Sequence, residues 1–148
     1  MTDIVSTETR SRMMSGIRSR NTRPELILRS ALHARGFRFR VHVGDLPGKP
    51  DLVFRKHRAV IQVHGCFWHR HGCAKTSTPS TNVEFWEKKF RRNVERDAEV
   101  ETSLEELGWR FGLIWECALS RQADIILLRR VEEFLLDPSI QRLELPVP

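Results

Sequence analysis

The 148-residue sequence contains no uncharged stretch approaching the ~18 residues that a bilayer-spanning helix needs. Its opening residues, MTDIVSTETRSR, lack the apolar core of a signal peptide. A cytoplasmic protein without membrane association is therefore expected. Cysteine is scarce: Cys66, Cys73 and Cys117 are the only three, so they cannot all pair within one chain, and a disulfide framework is not expected. Thiols in a reducing compartment and close to histidines are metal ligands or plain buried residues. Internal repeats and low-complexity tracts are also missing. What is present is 40% apolar and 30% charged residues, too hydrophobic for a disordered chain and too evenly charged for a membrane protein. The length suits one domain with a sizeable core.

The net charge of +6 is unevenly distributed. Residues 1–58 carry thirteen basic and five acidic side chains, 59–100 carry seven and five, and 101–148 carry five and nine. A basic N-terminal part facing an acidic C-terminal part suits a polyanion such as nucleic acid; a solvated basic surface is the alternative.

The segment TRPELILRSALHARG predicts a helix, with Thr22 as N-cap, Pro24 in the first turn, Glu25 completing a capping box and Gly36 at the stop. Phe37, Phe39, Val41 and Val43 alternate with Arg38, Arg40 and His42, the period of a half-buried strand. DLVF and AVIQVHG, separated by the charged turn RKHR, predict a hairpin of buried strands. A helix follows over Val83–Leu107, with Val83, Trp86, Phe90, Val94, Ala98, Leu104 and Leu107 as its apolar stripe. Trp109, Phe111, Leu113 and Trp115 alternate as a strand, Ile125–Leu136 forms an amphipathic helix, and the tail after Pro138 has no assignment. A short-loop meander followed by a helical crossover predicts an α/β protein, a mixed sheet flanked by helices on both faces. This is also the arrangement of restriction-endonuclease-like nucleases.

VHGCFWHRHGC, residues 63–73, packs three histidines, two cysteines and two large aromatics into eleven positions. Cys66, His71 and Cys73, with Cys117 as a fourth, suit tetrahedral zinc; two buried thiols and a surface histidine are the alternative. A closed four-ligand zinc is structural, so the chemistry lies elsewhere. Asp51 stands at the mouth of a strand, where a carboxylate can hold a divalent cation against a phosphate or simply cap a turn. His64 and His69 are candidate bases or ordinary packed histidines, and Glu25 has the capping box as its alternative.

Together LPGKPDLVF, VHGCFWHRHGC, NVEFWEKKFRRNVERD and LGWRFGLIWECAL resemble the very-short-patch-repair DNA mismatch endonucleases over about residues 9 to 120. The resemblance implies that Asp51 binds two magnesium ions, with the main-chain carbonyl of Val63 contributing a ligand, and that His69 activates the attacking water. Glu25, His64 and Asp97 would orient water at the metals, and Cys66, His71, Cys73 and Cys117 would hold one structural zinc. Val63 stands where the family usually has threonine, so it keeps the carbonyl and loses the hydroxyl. The acidic-x-Lys element of related nucleases is absent, the partner strand reading Gln62-Val63-His64. By the same resemblance Phe67, Trp68 and Trp86 form an aromatic wedge entering from the major groove, and Met14 enters from the minor groove. Trp86 equally fits the core stripe of its helix, whereas adjacent Phe67 and Trp68 cannot easily both point into one core.

Arg10, Arg12, Arg18 and Arg20 of a basic arm, residues 1–21, together with Arg23 just beyond it, are expected to clamp duplex DNA. Lys88, Lys89, Arg91 and Arg92 would add phosphate contacts. The expected activity is a magnesium-dependent nick 5′ to the thymine of a T:G mispair, leaving a 5′ phosphate and a 3′ hydroxyl. The expected partners are mismatched duplex DNA and other mismatch-repair proteins, with the enzyme a monomer. A same-fold nuclease of different specificity and a non-catalytic zinc-stabilised DNA-binding module are the competing readings.

Overall fold

The computed structural model describes residues 21–74, 76–119 and 123–148. Helix α1 (Arg23–Ala34) begins at Thr22, whose backbone is extended, with Pro24 in the first turn. The capping box does not form. Thr22 makes no side-chain cap bond, and Glu25 is instead buried, its Oε2 accepting from the Asn21 N–H at 3.4 Å. Leu28 and Leu32 are fully buried against the sheet.

Only Arg40–Val41 of the predicted first strand is paired, as β1. Phe37 and Phe39 do pack into the core, but His42 takes a left-handed conformation (φ +48°) that ends the alternation. Such a φ is costly for most L-residues. Here it turns the chain so that the imidazole meets the carboxylates described below. β2 (Leu52–Phe54) and β3 (Ala59–His64) form the expected antiparallel hairpin, with Leu52 opposite Ile61 and Phe54 opposite Ala59. The charged connection winds into a 3-10 turn, Arg55–His57, closed by left-handed Arg58.

A four-residue helix α2 (Cys66–His69) follows β3. The long helix α3 (Val83–Glu106) then returns the chain to β4 (Arg110–Trp115), which lies parallel to β3, as a crossover requires. A 3-10 turn (Glu116–Leu119), helix α4 (Ile125–Leu136) and strand β5 (Arg142–Leu145) complete the chain. β5 runs parallel to β4 in a five-stranded mixed sheet ordered β1-β2-β3-β4-β5. The sequence left β5 unassigned because only Leu143 and Leu145 carry its period, too short a pattern to stand alone.

The pleat divides the core. Leu52, Phe54, Ile61 and Ile114 point toward α1 and α4, whereas Val53, Val60, Phe111 and Leu113 point toward α3. At the centre of β4, a Cβ on Gly112 would sit 3.1 Å from Ile61 and 3.3 Å from the Phe134 ring, which explains why α4 packs so closely. Buried Arg110 ties the end of α4 down. Its guanidinium donates to the carbonyls of Phe134 (2.5 Å), Leu135 (3.1 Å), Ile140 (3.0 Å) and His57 (2.8 Å), satisfying C-terminal helix acceptors that would otherwise be orphaned.

α3 departs from its predicted stripe. Phe90 and Leu104 are buried, but Val83, Val94, Ala98 and Leu107 are exposed. A 24-residue helix is about 36 Å long, whereas six-residue strands span about 20 Å, so α3 overhangs the sheet. The overhanging half covers α2 and the cleft beneath it.

Candidate active site

Pairing of β2 with β3 brings the two halves of a cleft together. Asp51, immediately before β2, lies beside β3, where its Oδ2 accepts from the Val63 N–H at 2.7 Å. The Asp51 N–H donates to Gln62 Oε1 at 3.3 Å, and the His42 N–H donates to the Asp51 carbonyl at 3.2 Å. Asp51 is therefore held at three points, two on its backbone and one on its carboxylate. Burial raises its carboxyl to about 7, with Glu25 adding to the rise and the Val63 N–H opposing it.

Glu25, 3% exposed, enters the cleft from α1. His42 Nε2 lies 2.8 Å from Glu25 Oε2 and 3.7 Å from Asp51 Oδ1, yet neither contact has hydrogen-bond geometry, and this buried nitrogen is left without a bond. Arg29 on the next turn of α1 lies 3.5 Å from Glu25 Oε2.

The opposite wall comes from α2 and α3. His69 Nδ1 and Asp97 Oδ2 are 2.6 Å apart. The His69 ring stacks on His64, with centroids 3.9 Å apart and planes within 9°. Burial, with His69 acting in the same direction, holds the His64 imidazole well below its ordinary range, so His64 is neutral near pH 7. Its Nδ1 is 4.0 Å from Asp97 Oδ2 and makes no hydrogen bond. Asp51, Glu25, His64, His69 and Asp97 thus line one cleft of about 1030 Å³, together with Lys49 and Arg96. Gly48 sets how closely α3 approaches that cleft: its φ is +72°, and a Cβ there would lie 2.5 Å from Val100.

At the end of β3 a second cluster assembles. The ligand atoms of Cys66, His71, Cys73 and Cys117 all lie within 4.8 Å of one another. His71 Nδ1 is 3.6 Å from Cys66 Sγ and 3.5 Å from Cys117 Sγ. For Zn–S and Zn–N bonds of about 2.3 and 2.05 Å, a tetrahedral edge is about 3.55 Å, so the spacing and donor set both fit that ion. Burial pushes the Cys66 thiol up to about 12 and the Cys117 thiol in the same direction, which keeps them protonated until a cation favours the thiolates. The Trp115 ring stacks on His71 at 4.3 Å, and Glu116 Oε1 accepts from the Cys66 N–H at 2.9 Å.

The aromatic residues expected at the surface pack against one another instead. Trp68 is buried at 9% exposure, and its ring meets Phe67 edge-on at 5.0 Å. Phe67 and Trp86 are half-buried, and Trp86 stacks over Phe90. Adjacency did not keep Trp68 out of a core, because α3 overhangs α2 and supplies a second one. Phe85, at 56% exposure, is the exposed aromatic beside this group. Lys89 lies 5.7 Å from the Trp68 ring and Arg70 4.1 Å from the Phe90 ring. Lys88, Arg91, Arg92 and Arg23 are exposed. Met14, Arg18 and Arg20, with Arg10 and Arg12, lie outside the described residues.

Sequence reasoning overlooked His42, Asn93 and Glu116. Asn93 donates to the Trp68 carbonyl at 3.2 Å. A signal for Asn93 and Asp97 did exist: they share the helix face of Phe90 and Leu104, and a polar residue on a buried stripe demands a partner. For His42 no local pattern distinguishes it from an outward residue of a strand.

Residues 2–75 match the family described as DNA mismatch endonuclease Vsr. The chain is 46% identical over 139 residues to a type II nicking enzyme, V.XorIIP, of Xanthomonas oryzae pv. oryzae, covering 94% of this chain and all of that protein. It is 44% identical over 138 residues to the DNA mismatch endonuclease Vsr of Escherichia coli, covering 91% and 88%. It is 43% identical over 123 residues to a type II nicking enzyme, V.NmeAIP, of Neisseria meningitidis, covering 83% and 88%.

Proposed function

The chain belongs to the DNA mismatch endonuclease Vsr family, and from that premise we propose that its cleft nicks one strand of duplex DNA 5′ to the thymine of a T:G mispair. Such mispairs arise when 5-methylcytosine deaminates. One observation carries this reading: Asp51 on the sheet and the His69–Asp97 pair on the helices line the same cleft.

Hydrolysis of a phosphodiester requires a water deprotonated in line with the leaving 3′ oxygen and positive charge around the phosphate. Magnesium held by Asp51 and the Val63 carbonyl would supply that charge and lower the pKa of water. His69 takes the proton: with Nδ1 tied to Asp97, its Nε2 is the free nitrogen, and the carboxylate stabilises the imidazolium that forms. Neutral His64, stacked beneath, keeps the His69 ring oriented without adding a competing cation. Lys49 and Arg96 add basic character at the cleft edge. The products are a 5′ phosphate and a 3′ hydroxyl.

Cys66, His71, Cys73 and Cys117 would hold a structural zinc that staples the loop after β3 to the turn after β4. The sheet and its flanking helices fit a restriction-endonuclease-like fold. Phe67, Trp68 and Trp86 form the wedge, which opens from its packed arrangement to enter the major groove. Unstacking costs a few kcal/mol and aromatic stacking returns about 1–3 kcal/mol per base, so the exchange favours a mispaired step over an intact one. Met14, Arg18 and Arg20 on the N-terminal arm contact the duplex from the other side, and Lys89 adds a phosphate contact. The enzyme acts as a cytoplasmic monomer alongside other mismatch-repair proteins.

The names of two relatives, both type II nicking enzymes, favour a second reading in which the same chemistry serves another sequence context. Incubating T:G, other mispaired and matched duplexes with magnesium, and mapping the cut strand, tests both. A nick 5′ to the thymine is expected, lost in Asp51→Ala while mispair binding persists. Equal cutting of matched duplex would overturn the mismatch reading, and undiminished cutting by Asp51→Ala the assignment of the centre.

A further inference from the structure

Beside Asp51 the cleft also receives Glu25 and His42, and His42 has no role in the reaction described above. Its ring is nine-tenths buried, its Nε2 has no hydrogen bond, and it faces two carboxylates. A buried imidazole nitrogen left unpaired destabilises the fold, because its lost hydration is not replaced. The left-handed backbone that turns it inward costs more. Both costs are met at one point, between Glu25 Oε2 at 2.8 Å and Asp51 Oδ1 at 3.7 Å. Adjacent ligands of an octahedral ion with bonds of about 2.1–2.2 Å are about 3.0 Å apart. The two observed separations bracket that edge, and Glu25, His42 and Asp51 form a compact three-ligand group.

We propose that His42 is a direct nitrogen ligand of the divalent cation at Asp51, with Glu25 as a second carboxylate, so that a centre able to use magnesium binds transition-metal ions more tightly. The inference rests on the nuclease reading for Asp51 and extends it. Magnesium prefers oxygen donors and keeps its waters, whereas cobalt and nickel accept imidazole readily and manganese, the least demanding of the series, accepts it more weakly. One nitrogen among oxygens therefore raises manganese affinity and does little for magnesium. An orienting role, with His42 merely hydrogen-bonded to Glu25, would affect both ions alike.

The test uses full-length, zinc-loaded protein with manganese alone as the probe. Calorimetry should give manganese binding at least about tenfold tighter than magnesium binding. Pulsed electron paramagnetic resonance of the manganese-loaded protein should show modulation from a directly bound imidazole nitrogen. His42→Gln should lose that modulation and about tenfold in manganese affinity, with magnesium affinity changed less than threefold and the folded state intact by circular dichroism. Nitrogen modulation unchanged in His42→Gln, or equal losses for both ions, would overturn the proposal while leaving Asp51 as the cation ligand. Failure of manganese to bind, or binding undiminished in Asp51→Ala, would overturn both this inference and the centre on which it rests.

Discussion

Sixteen buried apolar residues form the core on the α1 and α4 face of the sheet, whereas eight form the core on the α3 face among the described residues. On the first face α4 buries Leu127, Leu128, Val131, Phe134 and Leu135 against Leu52, Phe54, Ile61 and Ile114 of the strands, with Arg110 as the charged exception at its C-terminal end. On the second, twice the helix length buries only Phe90 and Leu104. The space left under α3 is filled by Asp97, Asn93, His64 and His69. Close packing excludes water and polar groups, so a sheet packed equally on both sides would have no room for a phosphate. Buried apolar area is thus concentrated on one face of the sheet, while Cys66, Cys73 and Cys117 pack against the smaller core on the other.

Substitutions that separate the two faces test this division. Phe134→Ala should cost about 3–5 kcal/mol, lowering Tm by on the order of 10 °C, because the ring is fully buried against Gly112. Thermal denaturation showing a drop under 2 °C would mean that the first face is not the stabilising one. His69→Ala on the second face should slow nicking about 10²–10⁴-fold while moving Tm by less than about 2 °C. A large Tm loss with it would erase the contrast.

The carboxyl of Asp51 sharpens the comparison through pH. Burial raises it from 3.8 to about 7, so the folded chain binds this proton more tightly than the unfolded chain does. Its stabilising contribution is full below pH 3.8 and disappears as pH rises through about 7. In magnesium-free buffer, Asp51→Asn should therefore gain stability relative to the parent between pH 4 and pH 8, by on the order of 1–3 kcal/mol. Urea titrations giving the same difference at both pH values would place Asp51 in a wetter setting than its burial implies. The smallest effect is expected at the rim. Arg142 joins Glu101 of α3 through two bonds of 2.6 and 3.1 Å at 40% exposure, so Arg142→Ala should cost under about 1 kcal/mol, measurable as a small shift in the urea midpoint.

The sheet hairpin, the crossover, α1, α4 and the thiol set are legible in the sequence, because each rests on local spacing: apolar period, turn residues, or ligands crowded into residues 63–73. Residues 63–73 put three of the four thiol-cluster ligands into one turn, and only Cys117 had to be brought from elsewhere. The cleft is different in kind. Glu25 looks like a helix cap until burial shows that it faces inward, and His42 looks like an outward strand residue until its backbone reverses. Trp68 looks exposed until α3 is seen to overhang it.

What the sequence alone determined is which residues can be helical, extended or metal-ligating, since those properties belong to single residues and their near neighbours. Which of these residues meet is set by the assembled fold. The register of β2 on β3 and the length by which α3 exceeds the sheet bring Asp51 and His69 to one cleft, and both depend on the packing of the whole chain.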